Sequence, residues 1–426
     1  VIGIIIFFAA LLLLFFGYYV AYTFAGVALV VGFIFLGLDL FAFMPYRIMS
    51  IMENTVMMAI PMFILMGVIL QRSGLAEQLL ESMGKLFGGM SGGLAISTIL
   101  VGTFLAASTG VVGASVVAMG VISLPVMLKH KYDPRLATGT ICASGTLGQI
   151  VPPSIVLIIL GDVMGISVGD LFKAAVVPSL MLVTAYTLYI LFVARTQPER
   201  CPPVVVTEDK MLVLKQALKN IIPTMLLIIG VLGSIFMGIA TPTESAAIGA
   251  VGAAILSIFF GSFSFSSLMQ SSLETVKVTS MVFAVLLGAT AFSMVFSYGG
   301  GDALIEEFFL SVPGDKWTFI FIAMLSILIL GFFIDFIEIA FIVVPLLAPI
   351  AELMGINMVW FAILIAMNLQ TSFLTPPFGF SLFYLKGVAG DSVKTSTIYQ
   401  GVMPFIALQV FVLLLVVCFP NTFIFY

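Results

Sequence analysis

The sequence predicts an all-α polytopic membrane protein made of inverted repeats, with two re-entrant hairpins and two discontinuous helices. The first ground is composition. Of 426 residues, 62% are hydrophobic and 8% charged, and the mean hydropathy is +1.27, more apolar surface than a water-soluble fold can bury. The second is a pattern that occurs twice. Gly145-Thr146-Leu147-Gly148-Gln149-Ile150-Val151-Pro152-Pro153-Ser154 interrupts one long apolar run, and Gln370-Thr371-Ser372-Phe373-Leu374-Thr375-Pro376-Pro377-Phe378-Gly379 interrupts another, its Pro-Pro pair 224 positions later. Proline frees backbone carbonyls and donates nothing, which lipid does not tolerate, so each break requires a protein-lined or wet cavity. The third is a pair of apolar stretches too long for one crossing, 92–128 and 317–352, each with a polar midpoint.

Taken in order, single crossings are expected near 3–20, 24–42, 55–70, 172–194, 218–238, 242–260, 276–297 and 399–421. The first 20 residues read as a span rather than a cleaved leader, since basic residues and a small-residue cleavage site are missing from them. Stretch 92–128 turns at Ala107-Ser108-Thr109-Gly110 and stretch 317–352 at Asp335-Phe336-Ile337-Glu338; each reads as a re-entrant hairpin, the alternative being two full crossings joined by a tight turn. The broken helices occupy 136–165 and 358–388. Residues 71–91, 129–135 and 195–217 read as loops on one face, the last being the linker between halves.

With that topology, thirteen of the sixteen Lys and Arg residues fall on one face, leaving Arg47, Lys173 and Lys316 on the other. The basic face is therefore expected to be cytoplasmic, with both chain termini periplasmic. The organisation is 1–54 N-terminal scaffold, 55–194 first repeat, 195–217 linker, 218–275 scaffold helices and 276–426 second repeat. Gln71-Arg72-Ser73-Gly74-Leu75-Ala76-Glu77 pairs with Gly299 to Glu306, and the Pro-Pro breaks follow in both halves. Such a repeat gives a secondary transporter two near-equivalent conformations around a central site.

The polar groups at the tips and breaks suit a hard cation, which wants oxygen ligands. On the first side these are Ser108, Thr109 and Gly110 at the tip, with Gly145, Thr146, Gly148, Gln149, Pro152 and Pro153 at the break. On the second they are Asp335 and Glu338, with Thr371, Ser372, Thr375, Pro376 and Pro377. The Na⁺ ligands expected are Ser108, Thr109, Gly145, Asp335, Thr371 and Thr375. Acids at membrane depth are costly and point to function; a bound cation or a proton would each offset them. Helix N-termini past the breaks would attract an organic anion. Back-bonding of Ser108 and Thr109 and helix capping by the second-half hydroxyls are the structural alternatives. Nucleic acid is not an expected partner for 16 basic against 20 acidic residues. A nucleotide-binding loop and a nucleophile–base cluster are both missing from the sequence, so neither ATP nor enzymatic chemistry is indicated. His130 lies in a basic loop, and Cys142, Cys201 and Cys418 lack metal spacing.

Arg47-Ile48-Met49-Ser50-Ile51-Met52-Glu53-Asn54 followed by Ala59-Ile60-Pro61-Met62-Phe63 resembles the early segment of the large membrane subunit of tripartite ATP-independent periplasmic (TRAP) transporters. Gly148 to Ser154, Thr241-Pro242-Thr243-Glu244-Ser245-Ala246-Ala247 and Leu374 to Gly379 extend the resemblance along nearly the whole chain. It implies Na⁺-coupled uptake of an organic anion by an elevator movement in a bacterial or archaeal cytoplasmic membrane. It also implies a separate small membrane subunit and a periplasmic substrate-binding protein as partners, with no cofactor beyond the coupling ion. Carried onto this chain, the Ser108-Thr109-Gly110 tip and the Gly145–Pro153 break form one ion-binding half; Asp335 and the Thr371–Pro377 break form the other. Glu338 stands where the commoner family form has a small hydroxyl residue, and resembles the branch labelled for mannitol or chloroaromatic compounds. The alternative reading is a proton-coupled organic-anion carrier acting without a binding protein, with Asp335 and Glu338 as titratable groups.

Overall fold

In the computed structural model the described residues are 2–204, 210–311 and 313–424; part of the 195–217 linker, and the terminal residues beyond these bounds, lie outside them. The chain is an all-α polytopic membrane bundle. Among the described residues seven helices are long and apolar enough to cross a membrane.

The first helices are α1 (Ile2–Phe15), α2 (Val20–Leu36), α3 (Met44–Met52), α4 (Ala59–Arg72) and α5 (Leu75–Gly88). The sequence places the ends of α1 and α2 later, near 20 and 42. They stop where Gly17 and Gly37 take φ of 84° and 82°, a left-handed region that glycine enters without a Cβ clash. Residues 71–91, expected to be loop, instead contain α5. Leu75, Ala76, Leu79, Leu80 and Met83 recur at helical spacing and are buried, while Glu81 and Lys85 pair at 3.0 Å on the outer face.

The first hairpin is α6 (Gly93–Thr109) and α7 (Val112–Lys129), followed by α8 (Pro134–Thr146), α9 (Ile155–Val163) and α10 (Val168–Thr196). At the base of the hairpin Tyr132 Oη accepts from Leu94 N at 3.2 Å. Burial pushes that phenol up to about 12, so it stays neutral there. Next come α11 (Lys210–Phe236), α12 (Pro242–Phe259), α13 (Phe265–Tyr298) and α14 (Gly301–Ser311). α11 starts inside the expected linker and α13 runs through the 275/276 boundary, because Ser264 caps it by accepting from Ser267 N at 3.0 Å.

The second hairpin is α15 (Lys316–Leu330) with α16 (Phe336–Glu338), a π turn (Ile339–Val343) and α17 (Val344–Leu353). The broken helix α18 (Met358–Leu374) and α19 (Phe380–Ala389) follows, then α20 (Thr395–Cys418) and α21 (Pro420–Phe423).

Packing sorts these elements into two groups. α12 packs on α4, α13 on α2 and α4, and α11 on α12. The other group centres on the broken helices: α8 packs between α6, α7 and α20, and α18 against α15, α10 and α20. The two groups meet along a broad seam, where α4 packs on α6 and α9, α13 on α16 and the π turn, and α10 on α11, while α5 and α14 each touch both. The broken helices lie deepest. Every residue from Leu136 to Thr146 and from Trp360 to Leu374 is buried. Glycine makes this depth possible at one crossing, since a Cβ at Gly139 would run into the Gly401 carbonyl.

Candidate ion and substrate site

Each hairpin tip sits on the break that follows it in its own half. A Cβ at Gly148 would lie 2.6 Å from the Ala106 carbonyl oxygen, and a Cβ at Gly331 would run into the Ser372 hydroxyl. Gly331 stands 225 positions after Ala106 and Ser372 stands 224 after Gly148. A crossing of tip on break is therefore made twice, at the spacing of the Pro-Pro pairs to within one position. The second parts of the broken helices exchange partners: α19 packs on α7 of the first hairpin, and α9 on the π turn and α17 of the second. All four polar interruptions thus meet in one region.

The first tip closes with Gly110 at φ 60°, its N–H donating to Ala106 O at 2.9 Å. Thr109 is buried; its Oγ1 donates to Leu105 O at 2.9 Å and lies 2.7 Å from Ser115 Oγ. The back-bonding alternative is realised here, yet the hydroxyl oxygen keeps lone pairs that a cation can use. The side chain of Ser108 lies outside the described residues. Gly145 packs on Val116, where a Cβ would clash, and Thr146 Oγ1 donates to Ala143 O at 2.9 Å. The break itself spans Ile150 to Ser154, with a cis bond between Pro152 and Pro153. Its freed carbonyl at Gln149 accepts from Ser154 Oγ at 2.7 Å.

The second half repeats that arrangement. Its break spans Thr375 to Gly379 with a cis bond between Pro376 and Pro377, and the freed Phe373 carbonyl accepts from Ser381 Oγ at 2.7 Å. Thr371, Ser372 and Thr375 donate to Met367, Leu369 and Thr371 carbonyls at 2.9, 2.7 and 2.7 Å. Each hydroxyl thus donates back along its own helix, and its oxygen keeps acceptor capacity.

Asp335 is the N-cap of α16 and accepts from Phe336 N at 2.7 Å. Glu338 follows within one turn, is only 5% exposed, and its Oε2 finds no hydrogen-bond partner. A buried polar atom without a partner marks a place where a proton, water or ion belongs.

Sequence reasoning missed several groups. The Tyr384 ring on α19 packs on Gly113 of the first hairpin, so it joins the two halves. The amides of Gln149, expected, and Gln370, not expected, are fully buried with neither end partnered. Asn368 Nδ2 donates to Met324 O at 2.6 Å and ties α18 to α15. Ser154 and Ser381 carried a readable signal, a serine shortly after each Pro-Pro pair. Among the described residues there is no group of three or more His, Cys, Asp or Glu that could hold a metal ion; the oxygen donors here are hydroxyls, carbonyls and single acids.

A family model described as "Tripartite ATP-independent periplasmic transporter, DctM component" matches residues 5–422. The chain is 30% identical over 369 residues to the C4-dicarboxylate TRAP transporter large permease protein DctM of Pseudomonas aeruginosa, covering 86% of this chain and 85% of that one. It is 28% identical over 370 residues to the sialic acid TRAP transporter large permease protein SiaM of Vibrio cholerae, covering 87% and 85%. Among solved structures, the YdaH transporter of Alcanivorax borkumensis matches with a TM-score of 0.60 at 14% identity, over 99% of this chain and 98% of that one, a likeness of fold.

Proposed function

This chain belongs to the DctM-component family of TRAP transporters, which makes it the large permease component of a secondary transporter and not an enzyme, and from that premise we propose that it takes up an organic carboxylate driven by Na⁺. In this reading a periplasmic binding protein delivers the substrate, and a small membrane subunit braces the chain in a bacterial or archaeal cytoplasmic membrane with both termini periplasmic. The single observation that carries the proposal is the tip-on-break crossing made twice at one spacing. It supports a pair of repeats, and such repeats, when inverted, are the usual basis of alternating access about a midplane site.

The two packed groups are the bodies an elevator would move past one another. α4, α11, α12 and α13 would belong to the static scaffold, and the hairpins with the broken helices to the carrier. Na⁺ would bind where each tip meets its break. Thr109 and the backbone around Gly145 would supply oxygens on one side, Asp335, Thr371 and Thr375 on the other. The first turn of α19 would present N–H groups suited to a carboxylate. The carboxylates named in the two relatives support an anionic substrate.

A second reading, proton coupling through Asp335 and Glu338, is favoured by the unpartnered buried Oε2 of Glu338. The partners separate it from the first. Purified chain should be reconstituted alone, and again with its small subunit and binding protein, and tested across a panel of organic acids. The complete system should transport and the chain alone should be at least about tenfold slower, since a capture step is missing. Equal rates would remove the tripartite reading and leave a self-sufficient carrier.

A further inference from the structure

Two of the segments that carry the family resemblance lie outside the ion site, Met52-Glu53-Asn54 and Thr241-Pro242-Thr243-Glu244, and the structure joins them to the first broken helix. Asp39–Met52 and Val56–Arg72 meet at an angle of 57°, and Asn54 stands in that bend. Its Oδ1 accepts from Val56 N at 3.0 Å and Met57 N at 3.4 Å. Its Nδ2 donates to Asp162 Oδ1 at 2.6 Å, a side-chain pair 108 residues apart in the chain. The next residue is held from the other side, where Thr243 Oγ1 donates to Thr55 O at 2.8 Å. Thr243 is itself fixed in a capping box: Glu244 N donates to Thr241 Oγ1 at 3.3 Å and Thr241 N to Glu244 Oε2 at 2.8 Å.

A continuous polar chain therefore runs from the start of α12 through the bend before α4 to the far end of α9. α4 and α12 pack tightly together in one group of helices. α9 packs mainly in the other, on α10, α18 and the second hairpin, and its remaining face meets α4 and the turn Val56–Met58 before it. The Asn54–Asp162 bond is where the chain crosses between them.

We propose that Asn54 and Asp162 form a polar clasp between scaffold and carrier that holds the conformation seen here and must open in each transport cycle. This rests on the elevator reading above. The chemistry suits the task. Asn54 is immobilised by its capping role, so its Nδ2 direction is set before Asp162 arrives. Asp162 is a half-buried carboxylate at a helix end, and a charge-assisted bond of this kind is both directional and strong. When the two bodies separate, water can take the place of each partner, so the clasp biases the equilibrium without locking it. The box at Thr241 and Glu244 is the anchor of that clasp, which gives the second resemblance segment a mechanical role.

The test is the distance between the two bodies in the full chain, reconstituted in lipid with whatever membrane subunit copurifies. Spin labels at Met237→Cys, in the exposed α11–α12 turn, and Leu353→Cys, exposed at the end of α17, report on it in a Cys418→Ser background. Cys142 and Cys201 are buried. Two distance populations are expected, shifting with Na⁺. Asp162→Ala should lower the population of the clasped distance about tenfold, the worth of one hydrogen bond to a charged group. Asn54→Asp keeps the cap, because aspartate caps as well as asparagine, but loses the donor, and should do the same. The reciprocal pair Asn54→Asp with Asp162→Asn restores donor and acceptor in reverse and should return the populations to within about twofold of the unsubstituted protein. Two populations unaltered by either single substitution would overturn the clasp and leave the elevator intact. One invariant distance under all conditions would overturn the elevator reading, and the clasp with it.

Discussion

Gly148→Ala is expected to cut uptake by more than about tenfold, although it adds one methyl group. That methyl would lie 2.6 Å from the Ala106 carbonyl oxygen and 3.0 Å from its carbon, both backbone atoms of the hairpin tip. Flexible side chains can yield to such a contact; helical backbone yields only by moving the tip. Overpacking of this kind costs about 1–3 kcal/mol, but its effect on transport is larger, because tip and break would separate where the ion is to be held and sub-ångström geometry matters there. Gly387→Ala serves as the control, since a Cβ at Gly387 meets nothing within 4 Å, and should leave uptake within about twofold. Initial uptake rates in proteoliposomes at matched protein content decide the matter. Gly148→Ala with a wild-type rate would mean that the tip is not part of the site.

Asp335→Asn separates two roles held by one side chain. The Asp335 carboxylate caps α16 through the Phe336 N–H, a task that asparagine performs equally well. Its negative charge is the part that a cation would use. The Na⁺ concentration for half-maximal uptake should therefore rise by about tenfold or more, which corresponds to about 1.4 kcal/mol, while the melting temperature of the purified protein stays unchanged. Asp335→Ala should add a loss of stability of about 1 kcal/mol from the missing cap. Unaltered Na⁺ activation in Asp335→Asn would assign the residue to capping alone.

The features that punctuate the chain were the ones legible in the sequence. Pro152-Pro153 and Pro376-Pro377 announced both helix breaks, because no lipid-facing helix tolerates two consecutive prolines. Gly110 marked the first tip. α5 was hidden by its own amphipathicity: Glu77, Glu81 and Lys85 gave it the look of a surface loop, and the apolar spacing of Leu75, Leu79, Leu80 and Met83 was the signal to weigh instead. The π turn at Ile339–Val343 has no composition of its own, as one additional residue per turn is decided by packing. Long-range partners were out of reach for a similar reason. Only the fold brings Asp162 to Asn54. Only the packing of α19 across α7 brings Tyr384 to Gly113 of the first hairpin.

Ion coupling is the claim on which the rest depends, and one measurement addresses it directly. Uptake by the complete reconstituted system is followed with an inward Na⁺ gradient, and again with Na⁺ replaced by choline, at one fixed pH on both sides. Paired oxygen-lined tips and breaks in a chain whose sequence shows no nucleotide loop should make uptake collapse to background in choline and return when Na⁺ is restored. Undiminished uptake in choline would contradict the Na⁺ account, and if a pH gradient imposed in a separate choline run then drove it, Asp335 and Glu338 would be the proton carriers.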